Sequence, residues 1–418
     1  MIKFDALKIR ILYSAAEDYP PRRADVVVLF FEELANRGIT CDWYLRNWRK
    51  QQPTSDTYLG QKIKVAPAVA IGGGVGKVIN RVAYWLGDIS FLTKGIKTAD
   101  IAQVRDKYFA GLLALLVARI AGKKVVYWCS YPFPEHAIET ADINGNILKA
   151  ALRRAYGQVS FLWLYRFLMP RMDHVFVQSD QMLETLSRYG VPREKMTAVP
   201  MGVSRSLLDE AHPARGVPVV RNRIVYLGSL GRARRLEMLI EAFLLVAARI
   251  PDASLVMVGD GDVPSDRVSL QNYVRRIGLE TRVEFTGQLP TDAAWLRVGE
   301  AAVCVSPIFP SATLRQGSPT KLFEYMALGK PIVANDHPEQ LSVLAESAAG
   351  LCVPWNAEAF SDAICELLND QVRAFEMAAR GPGWVAVNRT YDRLADMVYA
   401  KYMEIVPSVG KTGDRPKS

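Results

Sequence analysis

The sequence predicts a two-domain α/β protein in which each half is a doubly wound parallel sheet and the halves face each other across a cleft. Short strand-like runs alternate with helical patterns along the 418 residues, and this alternation lapses once, in a Pro- and Arg-rich stretch at 203–222. We therefore expect a first domain at 1–205 and a second at 206–385. A helix at 386–405 is expected to cross back to the first domain, and 406–418 to be a disordered tail.

The first half contains five apolar runs of strand length, separated by helical patterns. The first helical pattern runs from Asp25 to Arg37 and ends at Gly38. Helices are also predicted at 112–120 and 181–189. The strand-like runs are KIRILYSA (8–15), DIAQV (100–104), KKVVYWC (123–129), MDHVFVQS (172–179) and KMTAVPM (195–201).

The second half repeats the same alternation. Helices are predicted at 235–249, at 267–278 and from 318 onward. The strand-like runs are RIVYLGS (223–229), SLVMVGDGD (254–262), RVEFTG (282–287), AAVCVSP (301–307) and PIVAND (331–336). This alternation of strands and helices implies a parallel sheet with helices on both faces.

The net charge of +9 points to an anionic partner. Nucleic acid, an anionic lipid surface and a phosphorylated substrate all fit, and a solvated basic surface with no partner is the alternative. No nucleic-acid motif accompanies the charge, so nucleic acid is not expected. Five cysteines are scattered without a CxxC pair, which favours a reducing compartment and gives no indication of a zinc site.

Membrane insertion is not expected. The longest apolar run, 109–122, contains Arg119 and is shorter than the roughly 20 residues that a membrane span needs. No signal-peptide pattern precedes the first strand-like run. We expect a cytoplasmic protein that is soluble or sits peripherally on the inner face of the cell membrane.

The stretch RQGSPTKLFEYMALGKPIVAND (315–336) predicts a loop, a helix and a buried strand. Ser318 is placed to cap the helix and Pro319 to occupy its first position. The free amides of Thr320 and Lys321 then make the helix start a candidate anion site. The one acid in this helix is Glu324, which sits among apolar and small residues.

The loop GRARR (231–235) places three arginines just before a helix. A guanidinium can grip a phosphate through two parallel hydrogen bonds, so this loop is a second candidate anion site. A solvated basic loop is the alternative.

In its second half the chain resembles the family-four glycosyltransferases, which have the GT-B architecture. The segments that carry the resemblance are YLGSLGRARRLEMLIEAF (226–243), LVMVGDGD (255–262) with VEFTGQLP (283–290), and SPTKLFEYMALGKPIV (318–333). In the first half it rests mainly on 172–203. The resemblance implies a retaining enzyme that uses a nucleotide-sugar donor, either a UDP- or a GDP-sugar. It implies no further cofactor and no metal.

The resemblance also implies roles for individual residues. Arg234 falls where the family has a phosphate-binding lysine, and the helix start at Ser318, Thr320 and Lys321 would face the same diphosphate. Glu324 matches the glutamate that holds the ribose hydroxyls. The alternative is an exposed glutamate paired with Lys321 one turn away.

The base would lie against backbone of two glycine-containing loops. These are GDGD at 259–262 and the turn that includes Gly287 and Leu289.

Among the departures from the family pattern, three concern candidate site residues. Gln316 stands where the family has an acid that contacts the donor sugar, which leaves the identity of the sugar open. Ser229 replaces a phosphate-binding arginine, for which Arg232 or Arg235 could substitute. The family histidine that follows the strand KKVVYWC is missing, and His136 comes later in the chain, either near the reacting sugar or in a structural role.

Two further segments allow two interpretations each. IGGGVGK (71–77) fails the spacing of a Walker motif, so we interpret it as a flexible turn. The stretch 146–171 combines Lys149, Arg153 and Arg154 with aromatic residues. It is either a helix packed on the first sheet or a basic amphipathic helix that contacts a membrane.

The predicted activity is transfer of a sugar from a nucleotide sugar to a glycan or lipid-linked acceptor, in envelope or exopolysaccharide synthesis. A nucleotide-sugar epimerase or hydrolase of the same fold remains open. A non-catalytic module that binds a glycan or nucleotide also remains open, because Gln316 departs from the pattern. A dehydrogenase is disfavoured, since no dinucleotide fingerprint is intact.

Overall fold

The computed structural model describes residues 8–47, 55–67, 73–144 and 147–406. Within them, two separate sheets are flanked by helices, and all but one of the strand pairs are parallel. This confirms the predicted fold class of two doubly wound α/β domains.

The first sheet has eight strands in the order β3-β4-β2-β1-β5-β6-β7-β8, and only β3 and β4 pair in antiparallel fashion. Strands β2 to β4 were absent from the prediction, because only the apolar runs on either side of them were identified as strands. The strands are β1 Ile9–Tyr19, β2 Ile39–Asn47, β3 Ser55–Tyr58, β4 Gln61–Val65, β5 Ile101–Arg105, β6 Lys124–Cys129, β7 His174–Val177 and β8 Met196–Ala198.

The second sheet has six parallel strands in the order β11-β10-β9-β12-β13-β14. The chain order reverses between β9 and β12, which opens a crevice beyond their carboxyl ends, the usual ligand position in such a sheet. The strands are β9 Arg223–Leu227, β10 Ser254–Val258, β11 Val283–Gly287, β12 Val303–Ser306, β13 Ile332–Asn335 and β14 Leu351–Val353.

Most helices follow strands and cover the faces of the two sheets. Helix α1 (Ala24–Val26) continues as a π-helical segment, Val27–Leu34, and α5 continues in the same way through Leu162–Leu168. The other helices are α2 Gly73–Gly95, α3 Tyr108–Ile120, α4 Phe133–Glu139, α5 Ile147–Phe161, α6 Asp180–Arg188, α7 Glu237–Arg249, α8 Pro264–Arg276, α9 Thr291–Gly299, α10 Thr320–Ala327, α11 Pro338–Ser347, α12 Ala357–Asn369, α13 Gln371–Ala378, α14 Arg380–Asn388 and α15 Tyr391–Ile405.

Helix α15 packs on the first sheet although it follows the second sheet in the chain. Leu394 and Val398 are buried in the same apolar cluster as Ile11 of β1. The Tyr402 hydroxyl donates to Gln103 Oε1 of β5 at 2.5 Å. The chain therefore passes between the two sheets twice, once before β9 and once before α15.

The stretch at 203–222, which looked like a linker, is packed rather than free. Val203 forms a β-bridge with Thr390, while Leu207 and Ala214 are fully buried in the core of the second half. The apolar residues hidden among its prolines and arginines explain the difference.

The glycine-rich stretch at 71–77 differs from the predicted turn. Its first two residues lie outside the described part of the chain, but α2 begins at Gly73, so a flexible turn is wrong for the remainder. In the predicted tail, residues 407–418 lie outside the described part.

Candidate active site

The crevice of the second sheet is formed by the turns after β9 and β10, which lie directly against each other. Gly228 N donates to Val258 O and Leu230 N to Asp260 O. Gly259 has φ +136°, and a Cβ there would lie 2.1 Å from Gly228 O. Glycine is therefore required where the two backbones meet.

A cavity of about 400 Å³, here called the second-domain cavity, lies beyond these turns. Its size is within the range of small-ligand pockets. Side chains and backbone from the β9, β10, α9 and α10 regions form its walls, and they include Ser229, Asp260, Asp262, Leu289, Thr291, Trp295, Thr320 and Glu324.

Glu324 accepts a hydrogen bond from Trp295 Nε1 at 3.0 Å, and both residues line this cavity. Burial raises the pKa of Glu324, and the bond from Trp295 opposes that rise. Lys321 Nζ forms no hydrogen bond with any described residue and Glu324 is half-buried, so an exposed glutamate paired with Lys321 does not describe this site. Trp295 was missed in the sequence, since nothing in the pattern of α9 distinguishes it from a packing residue.

Lys321 is a buried cation beside the cavity. Its side chain is 8% exposed, and Nζ lies 3.9 Å from the centroid of the Tyr226 ring. Burial, and next the charge of Arg234, hold its pKa well below the usual value. A Cβ on Gly228 would lie 2.9 Å from Nζ, so the glycine turn leaves the space that the ammonium occupies. A buried amine that forms no hydrogen bond with the described residues is a candidate anion-binding group, because a bound anion would favour its charged form.

Arg234 is partly buried in the loop before α7, and its charge reaches both domains. Burial raises the pKa of Tyr226 in the second domain and of Tyr131 in the first, and the charge of Arg234 opposes both rises. Burial lowers the pKa of Lys321, and the charge of Arg234 lowers it further. The arginine loop thus lies within electrostatic range of the start of α10. The two candidate anion sites of the sequence are neighbours.

The other two arginines of the loop face a cavity of about 550 Å³ between the domains, the interdomain cavity. Arg232 pairs with Asp266 at 3.4 Å, and Arg235 lies with its guanidinium 5.6 Å from the Phe309 ring centroid. Arg235 has φ +51°, which turns the chain into α7.

Ser229 holds the turn together. Its Oγ accepts from Gly231 N at 3.1 Å and lies 3.2 Å from Asp262 Oδ1.

Gly287 has φ +71° and forms a bridge with Gly259, and the following turn brings Leu289 to the second-domain cavity.

Ser318 does not cap α10, and this expectation is wrong. Its Oγ accepts instead from Met201 N in the first half at 2.9 Å, and Pro319 occupies the cap position with no side-chain bond. The residue therefore joins the two domains, a contact that no local pattern could reveal.

Gln316 is 3% exposed and lies against the first domain. Its side-chain Nε2 donates to Ala312 O at 2.9 Å, and its backbone carbonyl oxygen accepts from Ser179 Oγ at 2.7 Å. It is absent from the walls of the second-domain and interdomain cavities, and its side-chain Oε1 is buried with no hydrogen-bond partner in the described part of the chain.

His136 lies on α4 at the border of two cavities. It lines the interdomain cavity and also a cavity of about 990 Å³ within the first half, the first-domain cavity. Its Nδ1 is 3.0 Å from the hydroxyl of Tyr131, the residue that follows β6 and Ser130. Burial, followed by the charge of Arg153, lowers the pKa of His136.

Within the described residues, no group of three or more His, Cys, Asp and Glu side chains is arranged to hold a metal ion. None of the helices in that part of the chain combines the length and the apolar content that a bilayer crossing needs.

Comparison with known proteins agrees with this geometry. A sequence model of the family described as "Glycosyltransferase Family 4" matches residues 24–207, and one described as "Glycosyl transferases group 1" matches residues 221–370. Together the two matched segments span most of the chain.

Two mycobacterial relatives and one solved structure illustrate the similarity. A GDP-mannose-dependent alpha-(1-6)-phosphatidylinositol monomannoside mannosyltransferase of Mycobacterium tuberculosis (strain CDC 1551 / Oshkosh) is 28% identical over 42% of this chain and 46% of its own. A phosphatidyl-myo-inositol mannosyltransferase of Mycobacterium leprae (strain TN) is 28% identical over 52% of this chain and 54% of its own. The chain thus spans about half the length of these curated relatives.

A sucrose-phosphate synthase from Thermosynechococcus elongatus superimposes with a TM-score of 0.74 at 17% identity, over 95% of this chain and 99% of its own. This match concerns the fold alone. With the two family matches and the two facing α/β domains, it leads to one conclusion: the chain belongs to the group 1, family 4 glycosyltransferases of GT-B architecture.

Proposed function

We propose that this protein is a retaining, metal-independent glycosyltransferase that moves a sugar from a UDP- or GDP-sugar to a glycan or lipid-linked acceptor in envelope or exopolysaccharide synthesis. One observation carries the proposal. A carboxylate, Glu324, borders a cavity at the edge of the second sheet, and two cations, Arg234 and Lys321, lie beside it. A nucleotide sugar offers matching groups, namely ribose hydroxyls and a diphosphate.

Binding of the nucleotide would use the second domain. Glu324 accepts hydrogen bonds from ribose hydroxyls, because a carboxylate has acceptor sites for two donors at once. The base lies against the turns at 259–262 and 287–289, whose backbone borders the same cavity. Lys321, the α10 amides and Arg234 neutralise the diphosphate.

In the transfer step, the bond between the anomeric carbon and the diphosphate oxygen breaks, and a bond from the acceptor hydroxyl oxygen forms on the same face. The hydroxyl proton passes to the departing diphosphate, so charge and atoms balance. Arg234 and Lys321 stabilise the negative charge that develops on the leaving group. His136 would contact the sugar between the two domains, and water exclusion by the closed cleft favours transfer over hydrolysis.

The acceptor would bind in the first domain, and the protein would associate peripherally with the inner face of the cell membrane through 146–171. In the described part of this stretch, α5 exposes Ile147, Leu148 and Leu152 together with Arg153. The names of the mycobacterial relatives, which refer to GDP-mannose and phosphatidylinositol, support a GDP-sugar and a lipid acceptor as the first substrates to test.

The test is incubation of the protein with UDP-, GDP- and TDP-sugars, with and without a membrane-lipid extract, while free nucleotide is measured. Nucleotide released only with the extract supports a transferase. Release without the extract indicates a hydrolase or epimerase, and saturable binding without release indicates a binding module. The anomeric configuration of the product, determined by NMR, tests retention, and full activity in EDTA is expected if no metal takes part.

A further inference from the structure

Exposed large apolar side chains are concentrated in one part of the first domain. More than half of those in the described residues lie between 78 and 167. On α2 they form a stripe at intervals of three or four residues, made of Val78, Val82, Trp85, Leu86 and Ile89. A second stripe on α5 is made of Leu148, Leu152, Tyr156 and Val159. Helical stripes of this kind normally face a core.

Each of the two stripes contributes one residue to the wall of the first-domain cavity. Trp85 of α2 and Tyr156 of α5 line it, and Phe109 of α3 lies with its ring centroid 5.5 Å from that of Trp85. Any part of a bound ligand that extends out of this cavity would therefore run over an apolar surface. A volume of about 990 Å³ suits a ligand well above the size of a monosaccharide.

The cavity wall also carries uncompensated positive charge. Lys107 is neutralised within the protein, since Nζ donates to Asp88 Oδ1 at 2.6 Å and to Ser14 Oγ at 2.8 Å. Arg81 and Arg153, in contrast, line the cavity and form no ion pair with any described residue. Two guanidinium groups that have no ion-pair partner among the described residues, beside an apolar exit, favour an anionic group such as a phosphate.

The cavity leads toward the reacting centre. His136 lines both the first-domain and the interdomain cavity, and Arg153 lies close enough for its charge to act on His136. A ligand in the first-domain cavity would thus lie next to the interdomain cavity, on the side marked by His136.

We propose that the first-domain cavity binds the acceptor as a phosphate-bearing lipid taken directly from a bilayer, with its head group held by Arg81 and Arg153 and its tail leaving over the α2 and α5 stripes. This inference rests on the proposed function and names its acceptor class. It makes α2 a second membrane-contacting element beside α5.

The experiment measures lipid binding without donor or turnover. The full-length protein is floated with phosphatidylcholine vesicles that contain or lack phosphatidylglycerol. Trp85→Ser and Leu152→Ser are expected to weaken flotation about tenfold each, from the apolar area lost. Arg81→Gln and Arg153→Gln are expected to cost about fivefold each, on anionic vesicles only. Phe375→Ser, which alters a side chain of α13 that is 75% exposed in the second domain, is the matched control and should have no effect.

Short-chain phosphatidylglycerol below its micelle concentration tests the cavity itself by calorimetry, with inorganic phosphate as the comparison. Saturable binding of the lipid that Arg153→Gln weakens, and that inorganic phosphate does not reproduce, is the expected result. Absence of flotation, an equal loss in Phe375→Ser, or binding unaffected by both arginine variants would overturn the proposal. Binding of UDP and GDP to the same samples reports on the nucleotide site separately, so failure of the lipid proposal is distinguishable from failure of the proposed function.

Discussion

The hydroxyl of Tyr131 lies 3.0 Å from Nδ1 of His136, in the wall of the interdomain cavity. Burial raises the pKa of Tyr131 to about 12, so the phenol keeps its proton at neutral pH and can donate it to Nδ1. The imidazole then carries its own proton on Nε2. Tyr131 occupies the region after β6 where the family has its histidine, and we expect it to orient a histidine supplied by α4 instead.

Tyr131→Phe tests this arrangement. Removal of a hydrogen bond to the neutral imidazole should raise the pKa of His136, because that bond favours the uncharged form. The acidic limb of the kcat/KM profile should move to higher pH by up to about one unit, since a neutral hydrogen bond contributes about 0.5–1.5 kcal/mol. Tyr273→Phe, which removes the hydroxyl of a half-buried tyrosine on α8, is the control. Superimposable profiles for both variants would show that Tyr131 does not position His136.

Glu324→Gln tests the ribose contact. Hydrogen bonds to a charged group contribute on the order of 1.5–3 kcal/mol, so affinity for the nucleotide should fall by about 10- to 150-fold. Titration calorimetry with UDP and GDP measures the change. Glu358→Gln, an exposed glutamate in the first turn of α12, should bind like the unaltered protein. Unchanged affinity in Glu324→Gln, with the melting temperature preserved, would remove the assigned role.

Trp295→Phe tests the residue that holds Glu324. The ring remains, but the Nε1 donor is lost, so the carboxylate is no longer fixed in one orientation. We expect a severalfold rise in KM for the donor with little change in kcat. The double variant Trp295→Phe/Glu324→Gln should bind no more weakly than Glu324→Gln alone, because Trp295 acts through the carboxylate. Additive losses would instead indicate a direct contact between Trp295 and the nucleotide.

Glu339 at the start of α11 makes stability depend on pH. Burial raises its pKa from 4.5 to about 7, although Arg389, 3.5 Å away, and Ser318 oppose the rise. The folded state therefore binds more protons than the unfolded chain between about pH 4.5 and 7, and stability falls as pH rises through that window.

The contribution is on the order of 1–3 kcal/mol, because one pKa unit corresponds to about 1.4 kcal/mol. In Glu339→Gln, the difference between the free energies of unfolding at pH 5 and pH 8 should shrink by that amount. Urea denaturation at the two pH values measures it, with the exposed Glu346→Gln on the same helix as control. Equal differences in the two variants would exclude Glu339 as the source.

Local patterns in the chain were sufficient for the strands of the second sheet. Runs such as RIVYL and SLVMV are apolar at every position after the first because both sheet faces are covered, so they are recognisable without any knowledge of their neighbours. The first sheet was harder to predict at its edge. There β3 and β4 are short and partly polar, since an edge strand has one side and often one face in solvent.

The family resemblance was likewise carried by contiguous motifs. Arg234 stands in a recognisable loop after β9, and Glu324 stands in a recognisable helix after β12. Both strands belong to one parallel sheet. Because the carboxyl ends of parallel strands meet at one edge, the chain order alone implied that these motifs would lie on the same side of the domain.

The sequence by itself therefore determined the fold class, the two-domain order and the family, because each depends on the periodicity and spacing of nearby residues. Only the tertiary structure decided which side chains meet. Trp295 reaches Glu324, Tyr131 reaches His136, and Ser318 joins the other domain instead of capping its helix. Such contacts join different elements, and their partners are chosen by how helices and sheets pack, which no local pattern records.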